Sequence, residues 1–326
     1  MTKHTMTLQN LGAAERREAS VAGDSPLSTT NLSLARIQRI EWLLRFLAST
    51  VFLGRAWQFL RWDSPLRTIM WKQDWLEGPV AFLTGMSWQA YVTSPTTDMV
   101  IQGLTRFMGI WLLVCAVLAW TVRGTSRRQG AVIASGSFLL LFNFTIYFIG
   151  KGFQIGQGIE HTLQWATPLF LLVFLRGGDA TTSGTRSPSG FSRKHLLFLK
   201  VAIALTFTGH GLYAMGFHPQ PGYFVSMIMR CLALDESGAR MLLNIAGYLD
   251  FVVAAAVFIP FLSRAALIYA AFWGFLTAFA RVVAYYHPQN LLGWMDSWWY
   301  HTVFRLAHGG MPLLALWLER YVDRER

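Results

Sequence analysis

Apolar residues recur along the chain in stretches of about 20 residues, separated by shorter polar segments. At a rise of about 1.5 Å per residue, a helix of that length crosses a hydrocarbon layer about 30 Å thick. The pattern therefore predicts an all-α, polytopic integral membrane protein with about eight transmembrane helices. The predicted spans lie at about 42–60, 99–122, 131–150, 158–175, 195–215, 240–260, 264–284 and 300–318.

Polar segments divide these stretches into two groups of four. Residues 177–194 include GGDATTSGTRSPSG, a composition typical of a flexible linker. We expect this cytoplasmic linker to join a first four-helix repeat at 41–176 to a second at 195–319. Residues 1–40 are rich in Ser, Thr and charged residues and predict a disordered cytoplasmic tail, and residues 320–326 predict a short second tail.

The two groups of four also match each other in sequence. The matched segments are VFLGRAWQF at 51–59 with TFTGHGLYA at 206–214, and EHTLQWATPLFLLVFL at 160–175 with YHTVFRLAHGGMPLLALWL at 300–318. Arg55 then corresponds to His210, and His161 corresponds to His301. These matches indicate an internal duplication, and an even number of helices in each copy predicts two parallel repeats.

Composition and charge support the membrane assignment and exclude other classes. The chain is 53% hydrophobic and only 14% charged, whereas an ordinary soluble domain has about 25% charged residues. The net charge of +11 is not accompanied by a basic recognition helix or an aromatic RNA platform, so we expect no nucleic-acid partner. Lys and Arg are concentrated in the tails and in alternate loops, which predicts that both termini are cytoplasmic. We expect a multi-pass protein of the bacterial cytoplasmic (inner) membrane.

Short motifs in the second repeat resemble the DoxX-like family of four-helix membrane proteins. The first of its helices carries RKHLLFLKVAIALTFTGHGLYAMG at 193–216, and the next carries NIAGYLDFVVAAAVF at 244–258. Gly209, His210 and Gly211 fit the family's first element, and Gly247 fits the second. Arg55 stands where that histidine would be in the first repeat, whose Trp-rich loop resembles the membrane region of HTTM and vitamin K carboxylase proteins. The resemblance implies a four-helix fold, and the link of some members to quinone-coupled sulfur oxidation implies a quinone cofactor.

Ionisable residues inside the predicted spans are the main candidates for function, because a charge near the bilayer centre costs about 2.5 kcal/mol or more. Most of them fall in the outer half of the membrane, which predicts one polar chamber per repeat. As candidate catalytic residues we expect His210 and His301 to relay protons and Asp250 to orient or neutralise an arginine. The candidate ligand-binding residues are Arg281, Arg305, His308, Arg55, Arg106, Lys151, Glu160 and His161.

Surplus positive charge in these chambers predicts a ligand with an anionic or carbonyl group, such as a lipid phosphate, a sulfur oxyanion or a quinone. We expect no metal site, because Arg305 lies between His301 and His308 on one helix face and repels a cation. A structural alternative is that Asp250 forms an interhelical ion pair with an arginine that fixes packing.

Three functions remain open at this point. The first is a quinone-coupled membrane oxidoreductase or its membrane subunit, which the family resemblance implies. The second is a transporter or lipid-handling protein, because internal repeats are common in carriers. The third is an assembly factor that binds other subunits of a membrane complex.

Overall fold

The computed structural model describes residues 27–124, 126–177 and 193–322 of the chain, and these are almost entirely helical. Most of the predicted tail at 1–40, nearly all of the predicted linker at 177–194 and the end of the chain lie outside the described residues. The helices in the described ranges are α1 (Leu27–Arg61), α2 (Leu66–Met70), α3 (Gln73–Thr84), α4 (Trp88–Thr93), α5 (Pro95–Thr121), α6 (Arg127–Gly150), α7 (Ile155–Ile159), α8 (Thr162–Gly177), α9 (Arg193–Ala214), α10 (Gly222–Leu232), α11 (Glu236–Ala256), α12 (Pro260–Ala284) and α13 (Leu291–Val322).

Five helices in the described ranges, α5, α6, α9, α11 and α12, are long and apolar enough to cross a membrane. They make this chain a membrane protein with a lipid bilayer as its surroundings. The other three predicted spans are also helical and lie in α1, α8 and α13. Helix α8 has only 16 residues, about 24 Å. Helices α1 and α13 are continuous, but their apolar sequence contains charged residues such as Arg55 and Arg305. Eight spans and a duplicated architecture therefore stay predictions.

Local sequence explains where the connection between α1 and α5 breaks into short helices. Ser94 caps α5 by accepting a hydrogen bond from the backbone of Thr97, and Pro95 opens the helix. Arg67 on α2 forms ion pairs with Asp63 and with Asp98 in the first turn of α5. The hydrogen bond to Asp98 raises the pKa of Arg67 above its ordinary value. Charge pairing of this kind holds the connection against the start of α5.

Gly54 and Gly209 occupy corresponding positions in the two matched segments, and each brings helices into close contact. A Cβ atom at Gly54 would lie 2.6 Å from the backbone nitrogen of Phe304, so α1 packs directly on α13. A Cβ atom at Gly209 would lie 2.6 Å from the backbone nitrogen of Glu160, so α9 packs on the link between α7 and α8. The site described below lies in Glu41–Arg326, one of the two compact units into which the chain divides.

Candidate functional site

A pocket of about 370 Å³ lies among α9, α10, α11, α12 and α13. Most of its wall consists of aliphatic and aromatic side chains. Its polar lining residues are His210, Asp250, Arg281, Arg305 and His308, together with Thr277. A mainly apolar cavity of this size with a few polar groups is the usual form of a small-molecule site.

Two arginines in the pocket wall have no acidic partner. Arg281 on α12 is 5% exposed, and its guanidinium lies 5.0 Å from the ring centre of Tyr223. The Nη1 atom of Arg305 on α13 is buried and has no hydrogen-bond partner. In the part of the chain that the structure describes, no carboxylate lies within 4 Å of either guanidinium. The pocket therefore presents uncompensated positive charge.

Two histidines lie beside these arginines. The rings of His210 on α9 and His308 on α13 are 5.3 Å apart between centroids, and both line the pocket. Nδ1 of His308 is 3.1 Å from the carbonyl oxygen of Arg305, and it donates in this hydrogen bond because a carbonyl only accepts. This bond fixes the orientation of the His308 ring relative to the backbone that carries Arg305.

Glu160 connects the pocket to polar residues of the first half of the chain. Its Oε1 atom accepts a hydrogen bond of 2.7 Å from Gln157 and lies 3.2 Å from Nδ1 of His161. Its Oε2 atom lies 3.7 Å from Nδ1 of His210. The close approach at Gly209 makes this proximity possible. Instead of one polar chamber per repeat, the structure has one continuous polar cluster shared by both halves.

Arg55 lies on the first-half side of this cluster and is held entirely by neutral groups. It donates hydrogen bonds of 2.7 and 3.1 Å to Oε1 of Gln164 and one of 2.7 Å to Oε1 of Gln58. Gln58 in turn donates to the hydroxyl of Tyr147 at 3.0 Å. The guanidinium also lies 3.8 Å from the ring centre of Phe304, a cation–π contact. These partners make Arg55 part of the helix packing.

Asp250 on α11 does not form the interhelical ion pair that was a structural alternative for it. It is 3% exposed, and in the described ranges no arginine lies within 4 Å of its carboxyl group. Its Oδ1 atom has no hydrogen-bond partner, and the side chain of Trp273 on α12 interacts with the carboxyl. Asp250 therefore lines the pocket as a buried carboxyl with a free oxygen.

The remaining candidates are more scattered. The ring of His301 is tilted by 30° against that of Tyr300 at 4.1 Å between centroids, outside the lining of the pocket, and its Nδ1 atom is buried without a partner. His161 packs on the ring of Phe144. Arg106 on α5 and Lys151 after α6 are exposed and do not join the cluster.

Sequence reasoning missed four polar residues that complete the cluster. They are Gln58, Tyr147, Tyr223 and Trp273. Each is a common residue of membrane helices or their ends, so no sequence signal distinguishes it. Among the described residues, no group of three or more His, Cys, Asp and Glu is arranged to hold a metal ion.

The chemistry available in the pocket is recognition of oxygen atoms beside an apolar body. Each guanidinium presents five N–H donors and stays charged at any physiological pH. Comparison of the chain with known protein families, with curated proteins and with solved structures gave no match.

Proposed function

We propose that this chain binds a membrane-soluble amphipathic ligand and handles it within the bilayer. The apolar body of the ligand fills the pocket among α9–α13, and its anionic or carbonyl head group accepts hydrogen bonds from Arg305 and Arg281. The single observation that carries this proposal is Arg305, which lines the pocket and whose buried Nη1 atom has no partner.

The energetic argument starts from the cost of burying a charge. A buried cation is stable only when a counter-charge or hydrogen-bond acceptors replace the water that it has lost. Arg55 obtains three such hydrogen bonds from amide oxygens, but Arg305 obtains none at Nη1. Asp250 lines the pocket but forms no ion pair with Arg305 among the described residues, and the oxygens of Glu160 face Gln157, His161 and His210. A ligand oxygen at Arg305 supplies what the protein does not.

The apolar lining decides the class of ligand. A small hydrophilic anion would leave side chains such as Phe224, Ile228 and Leu276 without contacts in the pocket. A lipid or a quinone fills that volume with its hydrocarbon part and places its oxygens at the arginines. Both sources share one chemistry, an oxygen-bearing head on an apolar body.

Quinone-coupled redox activity is a second candidate function. His210 and His308 line the pocket beside the arginines, and Glu160 lies 3.7 Å from His210. Groups that exchange protons next to a ligand carbonyl suit a quinone that gains or loses protons together with electrons. The DoxX-like resemblance of the second repeat supports the same candidate.

The test is to purify the full chain in a mild detergent and identify bound molecules by native mass spectrometry and organic extraction. We expect a lipid or quinone in the wild type, loss of that molecule in Arg305→Gln, and its retention in Arg106→Gln. Arg106 is the matched control because it is an exposed arginine on another spanning helix.

The identity of the molecule separates the candidates. An anionic lipid supports lipid handling, and a quinone with a matching optical spectrum supports the redox function. Retention of the ligand in Arg305→Gln, or a wild-type protein that neither carries nor takes up either class, overturns the proposal. A stoichiometric protein partner in such an empty preparation would favour an assembly factor.

A further inference from the structure

We propose that Asp250 forms a second polar subsite in the same pocket, and that the ligand carries a hydroxyl group on its apolar body, far from its acidic head. This inference rests on the proposed function, because it concerns the same ligand. It deepens that function by naming the class of ligand, a hydroxylated amphiphile.

The pocket has two polar regions rather than one. Trp273, whose side chain interacts with the Asp250 carboxyl, and Arg281 both line the pocket and lie eight residues apart on α12. Eight residues of α-helix correspond to about 12 Å along the axis. No ion pair links Asp250 to an arginine in the described ranges. A ligand head at Arg281 is therefore separated from Asp250 along α12.

The free oxygen of Asp250 has no structural role that the fold shows. Its Oδ1 atom is buried and unpartnered, and the carboxyl caps no helix and joins no helix pair by an ion pair. The pocket wall near it on α11 is formed by Leu243 and Ala246, which offer no polar atom from their side chains. Buried polar groups normally have a hydrogen-bond partner. A group on the ligand provides that partner when the pocket is filled.

A hydroxyl is the group that fits Asp250 in either protonation state. A hydroxyl both donates and accepts hydrogen bonds, so it pairs with a carboxylate oxygen or with a protonated carboxyl group. An amine suits only the carboxylate, and a carbonyl suits only the protonated form. A hydroxyl also costs less than a charged amine to bury in an apolar pocket.

The experiment compares two acids that differ by one hydroxyl group. Affinities of 10-hydroxystearate and stearate for the purified full chain are measured by isothermal titration in detergent. We expect wild type to prefer 10-hydroxystearate by about five- to tenfold, the effect of one buried hydrogen bond. Asp250→Leu should remove this preference, so that the variant binds the two acids with equal affinity. Asp250→Asn should keep most of the preference, because its amide still bonds to a hydroxyl.

The outcomes separate this inference from the proposed function. Equal affinities of wild type for the two acids, or a preference that survives in Asp250→Leu, overturns the hydroxyl subsite while stearate binding still supports the pocket. A stronger preference for 10-aminostearate that disappears in Asp250→Asn overturns the hydroxyl in favour of an amine. If neither acid binds, the hydroxylated acid is overturned while a bound quinone would still support the pocket; if Arg305→Gln binds both acids as wild type does, the proposed function fails as well. Circular dichroism and size-exclusion profiles confirm that each variant is folded.

Discussion

Two arginines, the buried Arg55 and the half-buried Arg305, lie beside one aromatic ring and differ in their hydrogen bonds. The guanidinium carbons of Arg55 and Arg305 are 3.8 and 5.1 Å from the ring centre of Phe304. Arg55 donates three hydrogen bonds to the amide oxygens of Gln164 and Gln58. Arg305 faces the pocket, and its Nη1 atom has no partner.

The comparison separates a structural charge from a functional one. Once its hydrogen bonds are made, a buried guanidinium belongs to the packing, and removing it leaves other buried groups unpaired. A guanidinium nitrogen that makes no hydrogen bond contributes little to the unliganded fold and can donate a hydrogen bond to a ligand. Burial alone therefore does not reveal a binding residue, whereas the count of unmade hydrogen bonds in a cavity wall does.

The largest effect on stability is expected from Arg55→Met. The substitution leaves Gln164 and Gln58 without their donor and removes the contact over Phe304, so the free energy of unfolding should fall by about 3 kcal/mol. Unfolding in mixed micelles, followed by circular dichroism, measures the change. Arg106→Met serves as the control because Arg106 is exposed on α5. A loss below about 0.5 kcal/mol would show that the amide network is not structural.

The next largest losses of stability are expected from Gly54→Ala and Gly209→Ala. These two changes test whether the two halves of the chain pack in the same way. Each added Cβ atom would lie 2.6 Å from a backbone nitrogen of another segment, so each change should cost about 1–3 kcal/mol. Gly103→Ala on α5 meets nothing within 4 Å and should be neutral or stabilising by up to about 1 kcal/mol. Similar losses at the two paired positions support the predicted duplication. A cost at only one of them would argue against equivalent packing.

Arg305→Met should change unfolding by less than about 1 kcal/mol in the unliganded protein, since it breaks no hydrogen bond at Nη1. It should instead weaken binding of the ligand about tenfold or more, the effect of losing a charged hydrogen bond. Unfolding and binding of stearate are measured on the same preparation. If Arg305→Met destabilises the protein as much as Arg55→Met does, the contrast between the two arginines is wrong.

The smallest effect is expected from Arg61→Gln, which removes an ion pair with Asp296 between the same two helices that Arg55 joins. The Arg61 side chain is 67% exposed, and exposed pairs contribute about 0.5 kcal/mol or less. Repeating the unfolding at high salt should erase the difference between Arg61→Gln and wild type. A loss comparable to that of Arg55→Met would mean that solvent exposure does not govern these contacts.

The apolar pattern was sufficient to predict an all-α membrane protein, and charges inside the predicted spans were sufficient to predict most of the pocket's polar residues. His210, Asp250, Arg281, Arg305 and His308 all line one pocket. The pattern places a residue at a depth along its helix, but it does not fix the direction in which the side chain points.

The direction in which side chains point explains why sequence reasoning misplaced some residues in space. Arg106 lies at a depth along its helix similar to that of the cluster, but its side chain is exposed and does not face the cluster. Asp250 and the arginines were expected to oppose each other, but among the described residues they line one cavity without forming an ion pair. Partners such as Gln58 and Trp273 depend on which helices become neighbours, and that arrangement is a property of tertiary packing.

The direct packing of α1 on α13 has a consequence for biosynthesis. Gly54 and Arg55 leave the ribosome early, but Tyr300 and Phe304, on which they pack, are made near the end of translation. At about 5–20 residues per second, this delay amounts to roughly 10–50 s. During that time the membrane-insertion machinery or another protein must shield the first helix and its charged residue. Truncation of the nascent chain before α13 should therefore leave a product that quality-control proteases recognise.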